Sequence, residues 1–136
     1  MRENFDMQDY RKLKVWQKAY DLVLEIYVIT KKFPKEELYG VTSQIRRSAA
    51  SITANISEGC GRKTKTELSR FLVIALGSLN ETENFLLLAR DLKYLSLKDF
   101  EKIDASATSK KEGCIFYFTD YSNKALVLVS ICDYIF

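Results

Sequence analysis

Residues 44–70 read QIRRSAASITANISEGCGRKTKTELSR, and the parsing of this stretch decides the fold. Ile45, Ala49, Ile52 and Ile56, preceded by Val41, recur at three- and four-residue intervals, the spacing that places apolar side chains on one face of an α-helix. Ser48, Ala50, Ser51 and Ala54 flank that face, and side chains this small let a second helix approach closely. Gly59 and Gly61 then predict a stop, because glycine tolerates the left-handed conformation common just past a helix C-terminus. A restart follows at once. Thr64 with Glu67 three residues on forms a capping-box pattern, and an apolar run comes directly after it. The segment is therefore expected to be a helix, a tight basic turn and a second helix.

Upstream, Leu13, Trp16, Tyr20, Val23, Tyr27 and Phe33 form the expected core stripe of a first helix that ends near Phe33. Pro34 cannot continue that helix, but it suits the first turn of the next, so helix two is predicted to begin within PKEELYG. Downstream, helix three is expected over about 66–94, its core stripe running through Leu68, Phe71, Ala75, Leu79, Leu86 and Ala89. Leu72, Val73, Ile74, Leu76, Phe85, Leu87 and Leu88 make much of its remaining circumference apolar as well. A helix apolar on more than one side needs covering on more than one side, which predicts self-association. Ser96 and Asp99 repeat the capping pattern and open a fourth helix containing Phe100 and Ile103. From about residue 107 the periodicity is lost. Cys114–Phe136 reads equally as a helix apolar all round, a hairpin about Asp120–Asn123, or a loosely held tail.

The length of 136 residues suits one domain spanning 1–136, with 1–9 as a flexible arm and 108–136 as an atypical C-terminal segment. One proline and five glycines in a chain that is 47% apolar favour long helices over a sandwich or barrel, so the expected class is all-α. There is no histidine. That removes the commonest general base and the commonest metal ligand together, and no catalytic residue, metal site or cofactor is assigned. Cys60, Cys114 and Cys132 are widely spaced and odd in number, which points to a reducing, cytoplasmic setting rather than a disulfide framework. No signal-peptide core opens the chain and no stretch reaches 18 uninterrupted apolar residues, so no membrane span is expected.

Positive charge is concentrated in one zone. Residues 42–70 carry six basic residues against two acidic ones, a local +4, while the whole chain is only +3. A localised basic zone suggests a polyanion partner. The turn GCGRKTKT lacks the GxxxxGK[ST] spacing of a Walker motif, so nucleotide hydrolysis is not implied. Arg46 and Arg47 follow core residue Ile45 and should point away from the core. Arg62, Lys63 and Lys65 surround the turn that opens helix three, where the helix dipole also favours anions. These five residues are the candidate nucleic-acid contacts. Their competing assignment is ion pairing within or between subunits, the role expected of Arg70 one turn into helix three. Asn55, at the edge of the buried stripe, is expected to fix register between helices. Trp16, Tyr20 and Tyr27 are expected to pack, leaving Tyr10 the freer aromatic for base stacking.

The segments YRKLKVWQKAYDLVLEIY, FPKEELYGVTSQIRRSAASITANISEGCGR and ELSRFLVIALGSLNETENFLL together resemble the bacterial 23S ribosomal RNA intervening-sequence proteins, over about residues 9–95. The chain is similar also to the accessory proteins of diversity-generating retroelements. The resemblance implies an up-down-up-down, left-handed antiparallel four-helix bundle that assembles as a homopentamer with a basic surface, and it implies no catalysis. Three positions depart from the family pattern. Thr53 stands where proline is usual, Cys60 replaces an aromatic, and the last 25 or so residues do not resemble the family's polar fourth helix. The leading expectation is a non-enzymatic oligomeric bundle that binds structured RNA, ribosomal or other, or a nucleoprotein. The alternative is a structural or protein-interaction scaffold whose cations are ion-paired.

Overall fold

The computed structural model describes residues 9–105, and every described element is helical. Helix α1 is Lys14–Thr30, α2 is Val41–Cys60, α3 is Lys65–Asp91, and α4 occupies 97–105. Short 3-10 turns at Tyr10–Lys12 and Lys35–Glu37 precede α1 and α2. There is no strand among the described residues. The four-helix, all-α expectation holds, whereas the expectations for residues 1–8 and 108–136 lie outside the described residues.

Helix α1 corrects the sequence reading. Its buried face is Ala19, Leu22, Ile26 and Ile29, continued by Leu13 and Phe33 beyond its ends. Tyr20 and Tyr27, expected in the core, are exposed, while Trp16 and Val23 are half-buried against it. The sequence holds two adjoining apolar stripes on this helix. The aliphatic one, with the smaller side chains, lies against α2 and the aromatic one flanks it. Thr30 is buried at the helix end, its hydroxyl donating to the Ile26 carbonyl at 2.7 Å, a local bond that removes the cost of burying it.

The start of helix two is also displaced. PKEELYG forms a 3-10 turn rather than the first turn of α2, and Gly40, at φ −106° and ψ −120°, breaks the helical run. The reason lies in the Glu37 side chain. Its Oε2 accepts from the Val41 backbone N–H at 3.0 Å, capping α2 from outside, and its Oε1 accepts from the Tyr94 hydroxyl at 3.0 Å. An acidic group also complements the positive end of the helix dipole.

From Val41 onward the expected stripe is found, with Ile45, Ala49, Ile52 and Ile56 buried. Helices α2 and α3 form an antiparallel hairpin, because residues paired across it keep a nearly constant index sum: Ser48 with Thr82, Ser51 with Ser78, and Arg47 with Glu81. Thr82 Oγ1 donates to Ser48 Oγ at 2.9 Å, and the Ser51 and Ser78 hydroxyls lie 2.8 Å apart. Near the turn, a Cβ added to Gly59 would sit 2.9 Å from Phe71 Cβ and 3.0 Å from Leu68 Cδ1. That glycine is required by close approach. No described glycine has positive φ, and Gly61 closes α2 at φ −80°, so the expected left-handed glycine cap is not used. Asn55 does not bridge helices directly; its amide bonds to Ser51 O and Oγ in its own helix, which leaves Ser51 to make the cross-helix contact.

Both expected N-caps are present. Glu67 N–H donates to Thr64 Oγ1 at 3.2 Å while that hydroxyl donates to Glu67 Oε2 at 2.9 Å, and Asp99 N–H donates to Ser96 Oγ at 3.1 Å. Helix α3 ends three residues earlier than expected. Lys93 takes the left-handed conformation, φ 62°, and the Tyr94 N–H bonds back to Ala89 O. This is a Schellman turn built on lysine instead of glycine. It delivers Leu95, Phe100 and Ile103 to the core, and Lys32 meets Asp99 at 3.3 Å to tie α4 to the end of α1.

Replacing Ile52 or Ile56 by alanine should each cost about 2–5 kcal/mol, the range for truncating a buried isoleucine. Chemical denaturation checks this, and two neutral substitutions would contradict the register of α2. The Tyr94 phenol is held above its ordinary value of 10.0, first by its hydrogen bond to Glu37 and further by partial burial and the charges of Glu37 and Glu36. An acid whose folded pKa is raised contributes stability that is present below its unfolded pKa and lost as pH rises through the folded one. Tyr94→Phe should therefore lower the melting temperature below pH 10 and flatten its alkaline decline, read from melting curves between pH 8 and 11.

Candidate nucleic-acid interface

The five candidate cations fall on two sites. Arg46 and Arg47 lie mid-way along the first half of α2, whereas Arg62, Lys63 and Lys65 gather at the α2–α3 turn. Arg46 was expected to face outward. Instead its Nε donates to the buried Thr30 hydroxyl at 2.8 Å and its guanidinium lies 4.9 Å from the centre of the Tyr27 ring. A planar cation on an aromatic face is favourable in itself, and here it pins α1 to α2. Arg47 reaches the other way, forming an ion pair with Glu81 of α3 and accompanying bonds to Gln44 Oε1 at 3.2 Å. The ion-pair assignment made for it from sequence is the one found.

Arg62 pairs with Glu58 one turn back on α2 and lays its guanidinium 4.8 Å from the Phe71 ring centre. It thereby closes the turn over the Gly59 contact. Lys63 is exposed in the turn, and Lys65 is exposed at the first position of α3. Arg70, expected to be ion-paired, is exposed and makes no ion pair among the described residues. One end of the hairpin thus presents Arg62, Lys63, Lys65 and Arg70, offset by Glu58 and Glu67.

Both surface arginine pairs are partly solvated: the Arg47 and Glu81 side chains are 60% and 38% exposed, those of Arg62 and Glu58 41% and 54%. Such pairs are worth about 0–1 kcal/mol, so a phosphate can replace the carboxylate at little cost. Tyr10 is less free than expected, because it is half-buried, its ring 5.2 Å edge-on from Trp16, which stacks on Tyr20 at 4.8 Å. Burial raises the Cys60 thiol pKa, which keeps it from thiolate chemistry. Among the described residues no three His, Cys, Asp or Glu side chains converge as a metal site. What sequence reasoning missed is the partner of each arginine. Thr30, Tyr27, Glu81 and Phe71 all come from other helices, and only the packing register brings them together.

A small helical bundle with a serine- and threonine-lined hairpin and one basic end is the class these features define. A family model for the 23S rRNA-intervening sequence protein matches residues 11–112, and the chain belongs to that family. Among solved structures it is similar to a protein of unknown function from the S23 ribosomal protein family of Bacteroides thetaiotaomicron VPI-5482. The two are 27% identical with a TM-score of 0.71, over 77% of this chain and 98% of the other. No curated protein matches.

Proposed function

We propose that this chain is a non-enzymatic, cytoplasmic subunit of a homo-oligomer, and that the assembly binds structured RNA through the basic end of the α2–α3 hairpin. The observation that carries the RNA reading is the grouping of Arg62, Lys63, Lys65 and Arg70 at one helix end, where Arg62 is paired with the partly exposed Glu58. The family description, which refers to 23S rRNA, supports the same class of partner. Arg46 contributes through packing, and Arg47 is a contact only if it exchanges Glu81 for phosphate.

Assembly is supported by α3. Val73, Ile74, Leu87 and Leu88 are each 40–46% exposed on the side turned away from the core. Helix α3 is also the one described helix long and apolar enough to cross a membrane, and only 28% of its most apolar window is buried. Its packing against α2 along the hydroxyl seam favours a bundle helix over a membrane span, and a second copy is the natural cover for its outer side. A scaffold that binds no nucleic acid is the second reading. It is favoured by the internal engagement of Arg46 and Arg47.

Light scattering coupled to size exclusion should report about five chain masses, the state that the family resemblance implies. The pair Val73→Asp and Leu87→Asp should reduce it toward one. A monomer that persists across a hundredfold dilution of the wild type would remove the assembly from the proposal. Affinity for a labelled structured RNA should fall linearly on a log–log plot as salt rises, because each neutralised phosphate releases counterions. Lys63→Glu should weaken binding and flatten that slope by about one unit. Lys98→Glu, at the opposite end of the bundle, should change neither. Absence of binding at low salt, with the oligomer intact, would leave the scaffold reading.

A further inference from the structure

The beginning of α1 lies at the same end of the bundle as the α2–α3 turn. Arg46, early in α2, meets Thr30 at the end of α1, and the 3-10 turn Tyr10–Lys12 that precedes α1 also packs on α2, so the two helices run antiparallel. Three rings stand there in a column. Tyr10 meets Trp16 edge-on at 5.2 Å, and Trp16 stacks on Tyr20 at 4.8 Å with the ring planes 18° apart. The last ring is open. Tyr20 is 44% exposed, and among the described residues no ring other than Trp16 stacks on it.

Charge is unevenly placed round the column. At the bundle end, the exposed Arg11 guanidinium lies 5.6 Å from the Tyr10 ring centre and pairs with Asp9 at 3.0 Å. Lys12 is exposed in the same turn, and Lys63 is exposed in the α2–α3 turn at that end. Gln17, also exposed, donates to the Arg11 carbonyl at 2.9 Å. The carboxylate of α1 nearest the open ring is that of exposed Asp21, about 100° round the helix from Tyr20. Lys14 and Lys18, about 120° and 160° from Tyr20, face elsewhere and take no part.

We propose that the open face of Tyr20 takes an unpaired base, which makes the ligand an RNA with single-stranded nucleotides beside a helix. The inference rests on the RNA reading of the basic end and specifies the ligand of that end. Bases present their flat faces to a protein only where they are unpaired and unstacked, and aromatic rings are the side chains that receive them. Cations beside such rings hold the backbone. Arg11 is available for this, because its ion pair with Asp9 is exposed and a phosphate can replace the carboxylate at little cost. A second copy is the poorer occupant. A subunit contact broad enough to bury Tyr20 would dehydrate Asp21 and Gln17 as well, whereas a single base covers the ring and leaves both in water.

The test compares three labelled RNAs of one hairpin stem: blunt, forked with four unpaired uridines on each strand, and forked with abasic nucleotides. The two forks carry the same phosphates and differ only in bases. Wild-type protein should bind the uridine fork about tenfold more tightly than the abasic fork, within the range for one stacked base. Tyr20→Leu should remove that difference, Tyr20→Phe should keep it, and Lys63→Glu should weaken all three RNAs. Irradiating wild type with 5-iodouridine in the fork needs no substitution, and the adduct should map to Tyr10, Trp16 or Tyr20. Equal binding of the two forks, or adducts absent or confined to other residues, would overturn this inference and leave the basic-end reading in place. A loss of the oligomer in Tyr20→Leu would overturn it too, since the ring would then be a subunit contact. No binding of any of the three at low salt would remove the basic-end reading and this inference with it.

Discussion

The close approach of α2 to α3 is the constraint on which the rest of the structure depends. Gly59 has no room for a Cβ against Phe71 and Leu68, and further up the hairpin Ser51 meets Ser78 and Ser48 meets Thr82 through their hydroxyls. Side chains of this size bring two helical backbones together, and their buried polar atoms satisfy one another or a carbonyl of their own helix. Such a seam is directional. A shift of α3 by one residue against α2 would separate both hydroxyl pairs, leave the hydroxyls only the carbonyls of their own helices and pull Glu81 away from Arg47. An all-aliphatic seam would exact no comparable penalty for slipping.

The distribution of positive charge follows from the same register. The six arginines and lysines of residues 42–70 become three kinds of group in space: a rivet between α1 and α2 at Arg46, a brace across the hairpin at Arg47, and a cluster at its end. The rivet touches a buried hydroxyl and an aromatic ring, so losing it loosens packing. In the cluster Arg62 is held by the partly exposed Glu58 carboxylate and the Phe71 ring, while the Lys63 and Arg70 side chains are exposed to solvent and to anions.

How far the sequence was legible varied with how local the determining physics is. The α2 core phase, the Thr64 and Ser96 caps and the start of α3 were readable, because each depends on residues within one or two turns. Helix α1 was misread, since Trp16, Tyr20 and Tyr27 are as periodic as Ala19, Leu22, Ile26 and Ile29, and periodicity cannot choose between adjoining stripes. Volume decides, and volume is a property of the space α2 leaves. PKEELYG looked like a helix start until the Glu37 carboxylate took the Val41 N–H, an arrangement completed by Tyr94 from 57 residues away. The hydroxyl seam was legible only as a row of small residues. Its hydrogen-bonded partners belong to another helix.

The order of contacts along the hairpin bears on how the chain can reach this state. Gly59 meets Leu68 and Phe71 nine and twelve positions away, Ser51 meets Ser78 at 27, and Ser48 and Arg47 meet Thr82 and Glu81 at 34. Closing a loop costs entropy that grows with the logarithm of its length. Each contact made near the turn shortens the free loop the next contact must close. The hairpin therefore has a route that zips from Gly61 outward without ever closing one long loop, and the glycine that seats Phe71 stands at its first step. Proteins whose contacts can be made locally in this way fold fast for their size, and the same turn that carries the exposed lysines is where that process is cheapest to begin.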